Sequence, residues 1–299
     1  MALKSKFLNP AIAGAALMVG AGALFAVNNT LAQMATMRMG MASTTFAFWQ
    51  YLVALVFSLP WLFAHGLDGL VSRNAHWHLL RVLLSMLGVQ LWVAGLAHVP
   101  IWQAIALLML SPFFVTIGAS LFLNEKATLD RWVTVIAGFI GGMIILDPWS
   151  DAFSLYALLP IGAAFFWAMV SLITKSLTAT ERPESLTVYL LLLLTPLNAV
   201  SAIGDGFALE MSWGVLTLPL IAGALTTVAQ FLLAKSYSLA DAAYLQPFDH
   251  IKLAFNVLLG VLVFGFYPPG SMWIGSAMIV IASLFLLQRE ARISGEALP

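Results

Sequence analysis

The chain is 299 residues long, 62% apolar and only 9% charged, with 13 bases and 13 acids giving a net charge of zero. A water-facing surface needs about 25% charged residues, so a soluble domain is excluded, and without a basic tail or patch so is a nucleic-acid partner. The absence of cysteine removes disulfide frameworks, thiolate metal sites and cysteine nucleophiles together.

An apolar run of about 20 residues crosses the hydrocarbon layer of a bilayer. In chain order such runs cover 11–34, 44–63, 78–97, 103–123, 131–146, 154–176, 186–204, 214–236, 243–264 and 270–288, which predicts ten transmembrane helices in an all-α membrane protein. The separators are too short to fold as domains and hold turn formers and charges, as in Asp147-Pro148-Trp149-Ser150-Asp151 and Glu181-Arg182-Pro183-Glu184. The first run follows Lys4 and Lys6, but its length and the nine runs after it point to a retained helix rather than a cleaved signal. Asn28-Asn29-Thr30 matches a glycosylation triplet yet lies inside that helix.

Cytoplasmic loops retain lysine and arginine. With the N-terminus inside, Lys4, Lys6, Arg73, Arg81, Lys126, Arg131, Lys175, Arg182, Lys235, Arg289 and Arg292 all fall on the cytoplasmic side and Arg38 on the other, where Asp147, Asp151, Asp205 and Glu210 also lie. Both termini are therefore expected in the cytoplasm, in a multi-pass protein of the inner membrane.

Features of the first half recur about 140 residues later. Gln90-Leu-Trp-Val-Ala returns as Gln230-Phe-Leu-Leu-Ala, Trp132 as Trp273, and Leu24-Phe25-Ala26 as Phe165-Phe166-Trp167. Five spans per copy force the second to enter the membrane from the opposite side, so the expected organisation is two inverted five-helix repeats, 1–146 and 154–288, with a cytoplasmic tail at 289–299. Inverted repeats place a substrate site near the midplane between the halves.

Polar groups inside hydrocarbon face protein or a water-filled cavity. On the ninth span Gln246, Asp249, Lys252 and Asn256 share one helical face, with His250 beside them. Asp249 and Lys252 form either a buried pair that fixes packing or a charge pair on the pathway, where His250, titrating near neutrality, is a partner for proton coupling. The first span carries Asn28, Asn29 and Gln33, and the eighth Thr226, Thr227 and Gln230; such groups either bond helix to helix or line a cavity. Gln90 and Gln230, at matching places in the two copies, are expected to approach the central axis. Most tryptophans lie at span ends, as in any membrane protein. Phe25, Trp49, Trp92, Trp167 and Tyr244 lie deeper, and Ser171 continues the Trp167 face, so a cavity walled by rings with a few amides would suit an amphiphilic or aromatic small molecule. Pro112 and Pro247, in the corresponding fourth helices, are expected to bend them.

An embedded enzyme would need acids or histidines clustered near one interface; His76 and His78 sit two apart at a loop without them. No phosphate-binding glycine loop is present to drive an ATP-powered pump, and no repeated charged ring marks a channel, although a polar-lined pore is the rival class. No cofactor or metal is called for, and the partners expected are a small-molecule substrate and the bilayer, with no obligatory protein partner.

Leu110-Ser111-Pro112 leading to Leu121-Phe122-Leu123-Asn124-Glu125, the glycine-rich Gly138-Phe139-Ile140-Gly141-Gly142, and ten spans in two copies together resemble the drug/metabolite transporter superfamily, EamA type, over essentially the whole chain. The second copy departs from that pattern: Phe264-Gly265-Phe266-Tyr267 stands where the family usually ends its helix on glutamate, leaving Glu125 alone in that role. Within the superfamily the chain is most similar to the bacterial aromatic amino acid exporters of the YddG type. The resemblance implies a secondary carrier working by alternating access, with the first four helices of each copy lining a central cavity and the fifth as scaffold. Aromatic and hydrophobic amino acids are the substrate it suggests, with export as the direction; a drug or nucleotide-sugar carrier is the alternative.

Overall fold

The computed structural model describes residues 10–65, 74–122, 129–151, 153–177, 183–206, 213–239, 245 and 248–293, and among these all regular structure is helical. The helices are α1 (Pro10–Gln33), α2 (Ser43–His65), α3 (Ala75–His98), α4 (Ile101–Leu108), α5 (Ser111–Phe122), α6 (Leu129–Leu146), α7 (Leu158–Leu177), α8 (Pro183–Gly204), α9 (Trp213–Leu239), α10 (Ile251–Leu259) and α11 (Gly270–Ile293). They fall on the ten apolar runs, and the fourth run is two helices. A turn at Met109 and Leu110 separates α4 from α5, and Pro112 is the second residue of α5. Proline has no N–H to give and its ring clashes with the carbonyl four residues back, so the helix stops before it and restarts with proline in its first turn. Asn124, Glu125, Tyr244, Gln246 and Pro247 lie outside the described residues.

The ninth run is interrupted as well, by a turn at His250 just before α10. Two helices end in wide π turns: α1 continues as Met34–Arg38, and α10 as Gly260–Phe264, which Gly265 closes in the left-handed region at φ 71°. The Arg38 guanidinium lies 4.8 Å above the Phe264 ring, a cation–π contact that joins the two π turns. At the end of α6, Asp147 adopts φ 44°, the left-handed conformation that stops a helix, while its N–H still reaches the Met143 carbonyl at 2.9 Å.

The outer surface is apolar. Leu262, Val200, Ile281 and Phe231 are each more than 60% exposed, an arrangement that hydrocarbon tolerates and water does not. Among the described residues five segments are long and apolar enough to cross a membrane by length and composition: Ile12–Arg38, Ala75–His98, Ile101–Gly118, Leu155–Thr174 and Leu216–Leu233. The buried core centres on α3 and α4, where Leu96, Ile105 and Leu107 are almost wholly enclosed, together with Phe46 of α2 and Phe113 of α5.

Helices pair across the two halves of the chain: α1 lies on α9 and α10, α3 on α7 and α8, α2 on α8 and α9, and α6 on α11. Glycines lie at several helix crossings. Gly141 of α6 and Gly275 of α11 face each other so closely that a Cβ on Gly141 would lie 2.7 Å from the Gly275 carbonyl oxygen, and one on Gly275 would lie 2.5 Å from that of Gly141. Only hydrogen fits there, and the contact holds α6 and α11 together. Two further glycines lie at helix contacts, one loose and one tight. A Cβ on Gly20 of α1 would meet Leu232 of α9 at 3.6 Å, and one on Gly162 of α7 would meet Leu91 of α3 at 2.8 Å.

Candidate substrate site

An asparagine inside a transmembrane helix must find partners, because the surrounding hydrocarbon offers none. Asn29 on α1 and Asn256 on α10 are both buried and satisfy each other, the Asn29 Nδ2 donating to Asn256 Oδ1 at 3.0 Å. Asn29 Oδ1 accepts from the indole Nε1 of Trp92 on α3 at 3.2 Å, and Asn256 Nδ2 donates to the Lys252 carbonyl at 2.7 Å. One chain of hydrogen bonds thus joins α3, α1 and α10.

Helix spacing explains the alignment. Gly22 and Asn29 are seven residues apart on one face of α1, and Lys252 and Asn256 are four apart on one face of α10. A Cβ on Gly22 would lie 3.3 Å from the Lys252 Cβ, so glycine lets the two backbones approach at the level of Lys252. Going from Gly22 to Asn29 moves the contact from Lys252 to Asn256, so α1 and α10 run in the same direction. One turn before the amides, Lys252 Nζ donates to Asp249 Oδ2 at 2.7 Å, and about a quarter of each side chain is exposed. Both ring nitrogens of His250, next along the chain, are buried without a hydrogen-bond partner.

The indole of Trp92 also meets Trp167 of α7, with ring centroids 5.9 Å apart and planes tilted by 48°. Gly88, one turn before Trp92, makes the space: a Cβ there would lie 2.6 Å from Trp167 Nε1. Two indoles, two amides and an ion pair therefore form a continuous strip along α3, α7, α1 and α10.

Of the residues expected at a site from sequence, Asn29, Trp92, Trp167, Asp249 and Lys252 come together here, with His250 adjoining. Gln90, expected near the axis, is not part of this strip. It lies two residues from both Gly88 and Trp92, about 200° around the helix from the face that meets Trp167, and its Nε2 donates instead to Asn198 Oδ1 of α8 at 2.7 Å. Ser171 is exposed and its hydroxyl donates to the Trp167 carbonyl of its own helix at 2.9 Å. Phe25, Trp49 and Gln230 are partly buried on α1, α2 and α9, and Asn28 is buried on α1; none belongs to the hydrogen-bond chain. Two polar groups serve packing. Gln33 Nε2 donates to the Leu96 and Val99 carbonyls at 3.0 and 2.6 Å, capping the end of α3, and Gln50 donates to Thr226 Oγ1 at 3.0 Å between α2 and α9. Gly22 and Gly88 carry no side chain and stand out in the sequence only by their place in mid-helix; the contacts with Lys252 and Trp167 give them their role.

The profile of the EamA-like transporter family matches this chain twice, over residues 12–147 and 154–288. The chain is 52% identical over 282 residues to a riboflavin transporter of Rhizobium johnstonii, covering 94% of this chain and 93% of that protein. It is 50% identical over 283 residues to a riboflavin transporter of Vibrio cholerae, covering 94% of this chain and 95% of that protein. A solved crystal structure superposes with a TM-score of 0.63 over 94% of this chain and 98% of its own at 16% identity, a likeness that concerns the fold alone.

Proposed function

Because the chain belongs to the EamA-like transporter family, we propose that it is a membrane carrier whose substrate is riboflavin. The observation that carries this reading is the likeness, at about half the residues over 94% of the chain, to two proteins that are riboflavin transporters. Aromatic amino acids, the substrate suggested by the family resemblance, give way on that finding. The expectation of an aromatic, amphiphilic ligand carries over: riboflavin is a neutral fused ring bearing a hydroxylated chain.

The strip of residues suits such a molecule. The indoles of Trp92 and Trp167 offer apolar faces to the ring. Its pyrimidinedione edge alternates acceptor, donor and acceptor, which the second N–H and second lone pair of the Asn29 and Asn256 amides can match once the helices part, since in this conformation both are buried and bonded to each other. Lys252 and Asp249 neutralise each other, so no net charge selects for an ion.

We further infer that residues 12–147 and 154–288 are oppositely inserted copies, with both termini in the cytoplasm and the site between the copies. The twofold family match, the reciprocal contacts Gly20 with Leu232 and Gly162 with Leu91, and the sidedness of lysine and arginine all favour this arrangement. Rocking of the two halves about the strip would expose it alternately to each side.

Growth tests the substrate. A bacterial strain that neither makes nor takes up riboflavin is expected to grow on low-micromolar external riboflavin when it produces this protein. Failure to grow, with the protein present in the membrane, together with no riboflavin flux in vesicles of either orientation, would contradict the reading.

A further inference from the structure

We propose that Asp249 and Lys252, with His250 beside them, form the subsite for the hydroxylated chain of the flavin, leaving the ring to Trp92, Trp167 and the Asn29–Asn256 amides. This assignment rests on the flavin reading above and goes past it by dividing the ligand between two chemically different parts of the strip.

Three observations carry it. First, the pair is accessible: Lys252 and Asp249 side chains are 24% and 25% exposed, and an ion pair within a span cannot present that surface to lipid tails, so it borders a polar space. Second, its hydrogen-bonding capacity is unspent. An ammonium has three N–H donors and Lys252 gives one to Asp249, while the two ring nitrogens of His250 are buried with no partner. Buried polar groups are paired in folded proteins, so these nitrogens await a partner that both donates and accepts. Hydroxyl groups do both, and a row of them carries no charge to upset a neutral pair.

Third, the spacing fits. Asn256 lies four residues after Lys252 and Asp249 three residues before it, which places the Lys252 backbone about 6 Å along the axis from that of Asn256, with the ammonium reaching farther toward Asp249. A five-carbon chain has about the reach of two extended residues, roughly 7 Å. A ring held at the amides and indoles therefore delivers its chain to the ion pair.

The test compares riboflavin with lumiflavin, which has the same ring but a methyl group in place of the hydroxylated chain. Each is titrated into purified protein in detergent, with quenching of flavin fluorescence as the signal. The native protein is expected to bind riboflavin at least about tenfold more tightly than lumiflavin, since hydrogen bonds to charged groups are among the stronger ones. Lys252→Met and Asp249→Asn are expected to weaken riboflavin about tenfold, toward the affinity of lumiflavin, with a much smaller effect on lumiflavin itself, and retained lumiflavin binding shows that the variants are folded. Equal affinity of the native protein for the two flavins would overturn the assignment without any variant, and so would variants that weaken both in proportion. Native protein that binds neither flavin removes the riboflavin reading itself, an outcome distinct from failure of the subsite.

Discussion

Replacing Asn29 by leucine is expected to abolish riboflavin transport. The side chain stands in the middle of the hydrogen-bond chain, accepting from Trp92 and donating to Asn256. Leucine keeps the branched shape and removes the bonding, at the cost of some added volume. It strands two groups at once, the indole N–H on α3 and the amide oxygen on α10. Interhelical hydrogen bonds in membranes average about 0.6 kcal/mol, so the variant should fold with a modest loss of stability, near 1–2 kcal/mol for the two bonds. The functional loss should be far larger, because three helices lose the link that registers the amides against the indoles. Uptake rates normalised to folded protein, with a melting curve in detergent, separate the two effects. A variant that transports at the native rate would reduce the amide chain to helix packing.

A second large effect is expected at Gly88, a residue with no polar chemistry. A Cβ there would lie 2.6 Å from Nε1 and 2.8 Å from Cδ1 of Trp167, and valine adds two methyl groups beyond it. The indole must leave its place against Trp92, so Gly88→Val should raise the riboflavin KM by tenfold or more. Overpacking also costs about 1–3 kcal/mol. Trimming the partner distinguishes the consequences: Gly88→Val combined with Trp167→Ala should regain stability, because the clash is gone, but not affinity, because the ring is gone. Recovery of native affinity in the double variant would show that Trp167 does not contact the flavin.

These residues also show how far sequence reaches. The apolar runs were legible because hydrocarbon thickness dictates their length, and helices occur on all ten. The pairing of Asp249 with Lys252 was legible too, since residues three apart on a helix are neighbours whatever surrounds them. The break before Pro112 was half legible: proline marks the bend, but the turn falls at Met109 and Leu110. Contacts between distant helices were hidden. Asn29 finds Asn256 at a separation of 227 residues, and Gln90 finds Asn198 at 108, so which amides meet depends on helix rotation that no local pattern records. The glycines at 22 and 88 are informative only once Lys252 and Trp167 are known to lie against them. Substrate identity was the least accessible. Rings beside amides accommodate an aromatic amino acid as readily as a flavin, and it is the likeness to riboflavin transporters, rather than residue chemistry, that favours the flavin.

Counterflow distinguishes a riboflavin carrier from an amino acid carrier in a single experiment. Proteoliposomes of the purified protein are loaded with unlabelled riboflavin and diluted into a trace of labelled riboflavin. A riboflavin carrier is expected to accumulate label transiently above its equilibrium level, and vesicles loaded with phenylalanine are expected not to. Accumulation driven by phenylalanine, or none driven by riboflavin, would contradict the account.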